Sequence, residues 1–398
     1  MTVYYINLLL ILALAYPLCI RKPNKIKKIA YLALTLSYMW FLATFREGIG
    51  YDYGSYIDIF QAIASTDGLQ NLLALGHEPG FTLIMKLISL FTADSVVLYG
   101  ALSALILIPV GWFVYRYCKD AWLSVWLYVT LTFFYTIMNF VRQSLACSVI
   151  LFGYRFLKEK KPVPYFIVVL LAASMHKTAL IMIPVYFLCH IRLDKKMGAF
   201  YASATLLLYL TSGWILDKIT DYIFTYYKGS VYIDTQYGFS LVFLVVPAVI
   251  FGACLALRYL WEKWDPAANM LLNLMMYSAI GWLFITKHFV IERFTQYMYI
   301  FALVAVPAAI SSLKAPEEDY ARLAEMRAES KRGKGKSKEE QHKLRTLSQS
   351  ISDHQKYYWS AVVALILLTL VYNEFGAHVN EFHKVFPYQS VLEWLNAI

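Results

Sequence analysis

The chain has 398 residues, of which 60% are hydrophobic and 16% charged, with a mean hydropathy of +0.53. Soluble domains carry about 25% charged and about 45–50% apolar residues, so this composition excludes a soluble globular protein and points to a polytopic membrane protein. The net charge of +10 then reads as the loop bias of a membrane protein, and nucleic acid is not expected as a partner.

The first twenty residues are apolar with no basic residue ahead of them, and the cluster RKPNKIKK at 21–28 follows the run. That order is the reverse of a secretory signal, so a retained first helix with its N-terminus outside is expected. Apolar runs predict spans near 3–20, 29–45, 95–115, 121–138, 143–157, 163–175, 178–190, 198–215, 239–257, 268–286, 294–313 and 357–373. Pro17, Pro109, Pro184, Pro247 and Pro307 fall inside them and predict kinks that a bundle can absorb. All five cysteines lie in or at the ends of apolar runs, without metal-ligand spacing, so neither a disulfide nor a metal site is expected.

Between the second and third spans lies TFREGIGYDYGSYIDIF, residues 44–60. It combines Arg46, Glu47 and Asp52 with Tyr51, Tyr53 and Tyr56, and with glycines at 48, 50 and 54. Glycines allow tight turns against a partner, and tyrosines present flat, half-polar faces suited to an interface or a sugar ring. PGFTLIMKLISLF at 79–91 is short and interrupted by Lys86, and reads as interfacial or re-entrant. With that reading about twelve spans remain, both termini lie outside, and most of the 36 Lys and Arg residues collect in inside loops while the acids split evenly. The chain is then one all-α integral membrane domain over 1–398. It has an outer loop with an interfacial helix at 46–94, a basic, flexible cytoplasmic loop with helical flanks at 314–356, and an external C-terminal segment at 374–398.

This topology gathers the unusual polar residues at the outer ends of the spans. They are Arg46, Asp52, Glu78, the set Asn139–Arg142–Gln143, the pair His176–Lys177, the loop 217–234, Lys287–His288 and Glu292–Arg293. Charges beside apolar runs are costly and usually face a cavity or a partner. Arg142 opens a span, and its nearest acids in sequence, Asp120 and Glu159, belong to the other face. Its partner is therefore an anionic ligand, for which a planar guanidinium suits phosphate, or a structural carboxylate among Asp52, Glu78 and Glu292. His176 sits at a tight turn as a base or as a helix cap. For a general base the order is Asp52, then His176, then Glu78. No P-loop, GxSxG, HExxH or DxD motif occurs, so a sugar donor would arrive on a lipid carrier and not as a metal-bound nucleotide.

FREGIGYDYGSYIDIF, HEPGFTLIMKLISLF, NFVRQSLACSVILFGYRFLKEKK and ASMHKTALIMIPVYF, in this order, resemble the EpsG family of Wzy-like polysaccharide polymerases, and the terminal PYQSVLEWL is similar to that family's tail. The resemblance implies a bacterial plasma-membrane glycosyltransferase of GT-C type, without a cofactor or metal. It would polymerise undecaprenyl-pyrophosphate-linked repeat units into exopolysaccharide, capsule or O-antigen on the outer face, with membrane lipids, a chain-length regulator and a flippase as partners. Asp52, His176 and Glu78 are the implied catalytic candidates; Arg46, Tyr53, Arg142, Gln143, Lys177 and, more loosely, Arg293 are the implied substrate-binding ones. A lipid-linked glycan ligase and a transporter or flippase of lipid-linked glycans are the alternatives. A transporter would place its ionisable residues near the midplane on two related halves, which this chain does not.

Overall fold

The computed structural model describes residues 2–222, 241–331, 338–378 and 384–393, so most of the 217–234 loop lies outside them. Among the described residues every regular element is helical, and one isolated antiparallel bridge joins Arg46 to Ser390. Helix α1 (Thr2–Ala15) passes into a π turn at Tyr16–Ile20, and α2 covers Lys25–Thr44. Short helices α3 (Tyr53–Ser65), α4 (Leu69–Ala74) and α5 (Pro79–Ser89) precede the long α6 (Ser95–Tyr117). Then come α7 (Ala121–Thr130), α8 (Phe133–Thr136), α9 (Val141–Phe152), α10 (Tyr154–Lys158), α11 (Pro162–Met175) and α12 (Met182–Leu188). The remaining helices are α13 (Lys195–Tyr222), α14 (Leu241–Glu262), α15 (Ala268–Ile285), α16 (Glu292–Tyr299), α17 (Ala302–Ser311), α18 (Glu317–Lys331) and α19 (Lys338–His378).

Local sequence sets many of these boundaries. Asn24 caps α2 by accepting the Lys27 N–H at 2.8 Å, and Asp94 caps α6 by accepting the Val96 N–H at 2.6 Å. Pro79 and Pro162 open α5 and α11, where a missing N–H costs nothing. Among the described residues five helices are long and apolar enough to cross a membrane, or six if the α16–α17 pair, bent by 42°, is one span. Several other expected spans are divided instead. The 121–138 run breaks at Thr132, whose φ is 71°, and the 143–157 run breaks at Gly153. The segment near 178–190 starts as a 3₁₀ turn, Lys177–Ile181, before α12.

Helix α7 is buried along all ten of its residues and forms the axis of the core. Polar side chains there are paired: Trp126 Nε1 donates to Thr369 at 2.9 Å and Ser124 Oγ to the Leu303 carbonyl at 2.7 Å. In an apolar surround each such interhelical bond contributes about 0.6 kcal/mol.

The packing gives the bundle two chemically different ends, separated by α2, whose 20 residues span about 30 Å. At one end Lys28 donates to the carbonyls of Tyr115 and Cys118, and Asp120 accepts from Ser311, Lys314 and Tyr358. Lys158 pairs with Asp265 at the same end, 3.4 Å apart. At the other end α2 runs out at Thr44, and Arg46 lies against Tyr99 near the start of α6. This second end carries nearly all the polar residues singled out above.

Candidate active site

Glu78 is the hub of the second end. Its Oε2 accepts from Arg142 Nη1 at 2.8 Å, and its Oε1 lies 3.1 Å from His176 Nδ1 and 3.4 Å from the Lys177 backbone N–H. The Glu78 side chain is 8% exposed, His176 13% and Arg142 31%, so the carboxylate is enclosed while its two partners reach the surface. Burial pushes the Glu78 carboxyl up, but the His176 hydrogen bond and the Arg142 guanidinium outweigh it and hold it down at about 2. In a neutral imidazole an ionised carboxylate at Nδ1 favours the proton on that nitrogen, which puts the lone pair on Nε2. Arg142 also gives its backbone N–H to the Tyr56 hydroxyl at 3.4 Å, and its Nε is buried without a partner among the described residues.

The local chain explains how these groups meet. Gly76, with φ 77°, turns the backbone ahead of His77 and Glu78, and Pro79 starts α5 immediately after them. At Gly80, α5 crosses α11 so closely that a Cβ would lie 2.3 Å from Ser174 Oγ and 2.4 Å from Met175 Cε. That crossing brings Glu78 beside His176, the residue that follows α11. Lys86 locks the pair of helices α3 and α5 by donating to the carbonyls of Ile63, Ala64 and Thr66. A leucine at Gly80 should force the crossing apart, at a cost of about 1–3 kcal/mol in packing, and separate Glu78 from His176. Gly80→Leu is therefore expected to melt at a lower temperature than the parent, whereas Gly54→Ala, where a Cβ meets nothing within 4 Å, should behave as the parent. Thermal unfolding of the purified variants checks this; a parental melting temperature for Gly80→Leu would show that the crossing tolerates a side chain.

The Asp52 loop approaches from the side of α9. Gly50 has φ 92°, and a Cβ there would lie 2.5 Å from the Met138 carbonyl, so only glycine allows the loop to seat on that turn. Asp52 is half-buried and gives its N–H to Asn139 Oδ1 at 3.2 Å, three residues before Arg142. Gln143 donates to the Arg293 carbonyl at 3.2 Å, and the Arg293 guanidinium lies 5.9 Å from the Phe140 ring. Thus Glu78, Arg142, His176 and the Lys177 backbone form one bonded cluster, with Gln143, Arg293 and Asp52 on its border. The Lys177 side chain is exposed.

Arg46 and Tyr53 stand apart from that cluster. Arg46 is 1% exposed, donates to the Ala43 carbonyl at the end of α2, and lies 4.0 Å from the Tyr99 ring centre. Tyr53 stacks on Tyr99 at 4.8 Å and accepts its hydroxyl proton on the backbone carbonyl at 2.5 Å. Among the described residues no three His, Cys, Asp or Glu side chains gather in a way that could hold a metal.

The EpsG family model matches residues 28–321. The chain belongs to the EpsG family. No curated protein matches it, and no solved structure does. EpsG membership points to a polysaccharide-polymerase role in exopolysaccharide biosynthesis, through a glycosyltransferase-like activity in the membrane. EpsG proteins are typical of the bacterial inner membrane, and a polymerase of this family would act on lipid-linked oligosaccharide.

Every candidate residue above lies within the stretch matched by the EpsG family. Two groups at the cluster escaped the sequence reading. His77 is half-buried beside Glu78, and its basicity is lowered by burial and by the Arg142 charge, with Glu78 opposing them. Tyr56, buried, meets the backbone of Arg142. The signal for His77 was its place in HEPGF next to a chosen carboxylate. Tyr56 carried none beyond membership in a tyrosine-rich stretch. In a lipid-linked transfer the cluster can supply a base with a free Nε2, a carboxylate that orients it, and a partly exposed guanidinium for a phosphate.

Proposed function

We propose that this EpsG-family chain is a GT-C-like polymerase that joins undecaprenyl-pyrophosphate-linked repeat units into exopolysaccharide, capsule or O-antigen at the outer face of the plasma membrane. The observation that carries this reading is Glu78 bridging Arg142 and His176. His176 Nε2 takes the proton of the acceptor hydroxyl as that oxygen bonds to the anomeric carbon of the donor sugar. The bond from the same carbon to the diphosphate oxygen breaks, and the diphosphate leaves on its lipid with the electron pair. Arg142, with Lys177 and Arg293 nearby, stabilises the charge developing on the leaving group, a contribution commonly worth about 3–4 kcal/mol per donor in comparable sites. Asp52 flanks the acceptor side.

The placement of charge supports the orientation. Lys28, Lys158 and Lys314 sit at the end opposite Glu78, and basic loops stay in the cytoplasm. Short helices alternate between the two ends: α9–α10 run from Arg142 to Lys158, and α11 returns from Pro162 to His176. This alternation supports a reading in which the divided helices also cross, with twelve spans and both termini outside. Helix α5 lies at the site end with Leu83 and Leu87, and Leu90 just after it, exposed, as an interfacial helix would.

The test is reconstitution in lipid nanodiscs with a synthetic polyprenyl-pyrophosphate-linked repeat unit. A ladder of products is expected, unchanged by a strong chelator, because the sequence lacks the DxD pair of metal-dependent nucleotide-sugar enzymes. Activity that disappears with chelation and returns with magnesium overturns the metal-free leaving-group step. Absence of any ladder from a folded preparation overturns the polymerase.

A further inference from the structure

The loop that carries Asp52 has no regular structure between Thr44 and Tyr53, so its main-chain polar groups need partners from elsewhere. A segment more than 330 residues downstream, beyond the stretch matched by the family, supplies them. The Phe45 carbonyl accepts from the Val391 N–H at 3.1 Å and from Ser390 Oγ at 2.7 Å. Glu47 donates its N–H to the Gln389 carbonyl at 3.0 Å, and Gly50 donates to the Lys384 carbonyl at 3.1 Å. The Val391–Phe45 and Glu47–Gln389 bonds form the antiparallel bridge between Arg46 and Ser390.

The segment is itself anchored in the bundle. Tyr388 donates its hydroxyl to the Leu42 carbonyl at 2.9 Å, and Tyr4 donates to the Val385 carbonyl at 2.8 Å. Phe386 packs edge-on against Tyr4 and Tyr135 at 4.8 and 4.9 Å, and Val385, Phe386, Tyr388 and Ser390 are all buried. On its other side the loop seats on the 138–139 turn through Gly50 and Asp52. The Asp52 loop is therefore clamped between the C-terminal segment and the entry to α9, which carries Arg142.

We propose that residues 384–391 are a positioning strap of the active site: Ser390 and the Val391 N–H set where the Asp52 loop stands relative to Arg142. The proposal rests on the site reading given under Proposed function. The strap touches neither donor nor base, so its loss should misplace the acceptor side while the donor is still gripped. Displacements of the order of 1 Å in such settings cost about 100-fold in rate.

The experiment uses full-length protein in nanodiscs with the synthetic polyprenyl-pyrophosphate-linked repeat unit. Val391→Pro removes one donor to Phe45, Ser390→Ala removes the other, and Ser390→Thr retains the hydroxyl. Val391→Pro and Ser390→Ala are expected to lower kcat by about 10- to 100-fold with the donor KM unchanged and the protein at parental level in the membrane. Ser390→Thr should restore most of kcat. Parental kcat in Ser390→Ala overturns the strap, even if Val391→Pro fails to accumulate. So does a fall in activity that only tracks lost protein. His176→Ala, measured alongside, separates the two readings. Loss in His176→Ala with intact tail variants removes the strap alone, whereas loss in the tail variants with an active His176→Ala upholds the strap and removes the Glu78–His176 base.

Discussion

Replacing His176 with asparagine is expected to reduce polymerisation by about 100- to 10,000-fold, the usual contribution of a positioned general base, with the protein still present in the membrane. Asparagine can place an amide N–H near the position of Nδ1, so the contact with Glu78 at 3.1 Å can survive while the basic nitrogen is gone. Glu78→Gln should also lose activity, by a different route. The amide cannot neutralise Arg142, and it no longer dictates which imidazole nitrogen holds the proton. The measurement is initial rate at saturating lipid-linked donor, with protein level from the same membranes. Asp52→Asn belongs in the series because Asp52 borders the cluster, giving its N–H to Asn139 three residues before Arg142. A fully active His176→Asn beside an inactive Asp52→Asn would transfer the role of base to Asp52.

The sequence made the charged candidates visible but not their partnerships. Arg142 stood out because an arginine opening an apolar run is costly, and Glu78 was one of three carboxylates considered for it. Nothing in the linear order favoured Glu78, which lies 64 residues from Arg142 and 98 from His176. The choice among the three depends on how closely α5 and α11 cross, and that depends on the missing side chain of Gly80. Arg46 also borders an apolar run in sequence, yet it is buried against Tyr99, where the C-terminal segment bridges to it at Ser390. A run of apolar residues likewise shows that a span is available but not that it is interrupted. The break at Thr132 is a left-handed turn, and at Gly153 a Cβ would lie 3.2 Å from the Tyr165 ring of α11; the hydropathy of those stretches hardly registers either.

Arg142 yields the sharpest contrast between variants. Its Nη1 is committed to Glu78, its Nε is buried without a partner among the described residues, and nearly a third of the side chain remains exposed. One guanidinium edge can hold the carboxylate while the rest faces a diphosphate, a division of work for which arginine is suited and the single ammonium of lysine is not. Arg142→Ala is expected to abolish polymerisation and to reduce protein level as well. It leaves the Glu78 carboxylate, 8% exposed, with only His176 and the Lys177 N–H as partners, and breaking one side of a buried pair costs about 3–5 kcal/mol. Arg142→Lys should retain a bond to Glu78 and hence normal membrane levels, but lose most transfer because paired donors to the diphosphate are gone. If Arg142 serves only to neutralise Glu78, lysine will restore both abundance and polymer length. Polymer length and protein level measured together in the two variants therefore decide the role. Normal chains from Arg142→Lys would leave the leaving group to Lys177 and Arg293, and His176 with Glu78 would then act without a diphosphate grip at the hub.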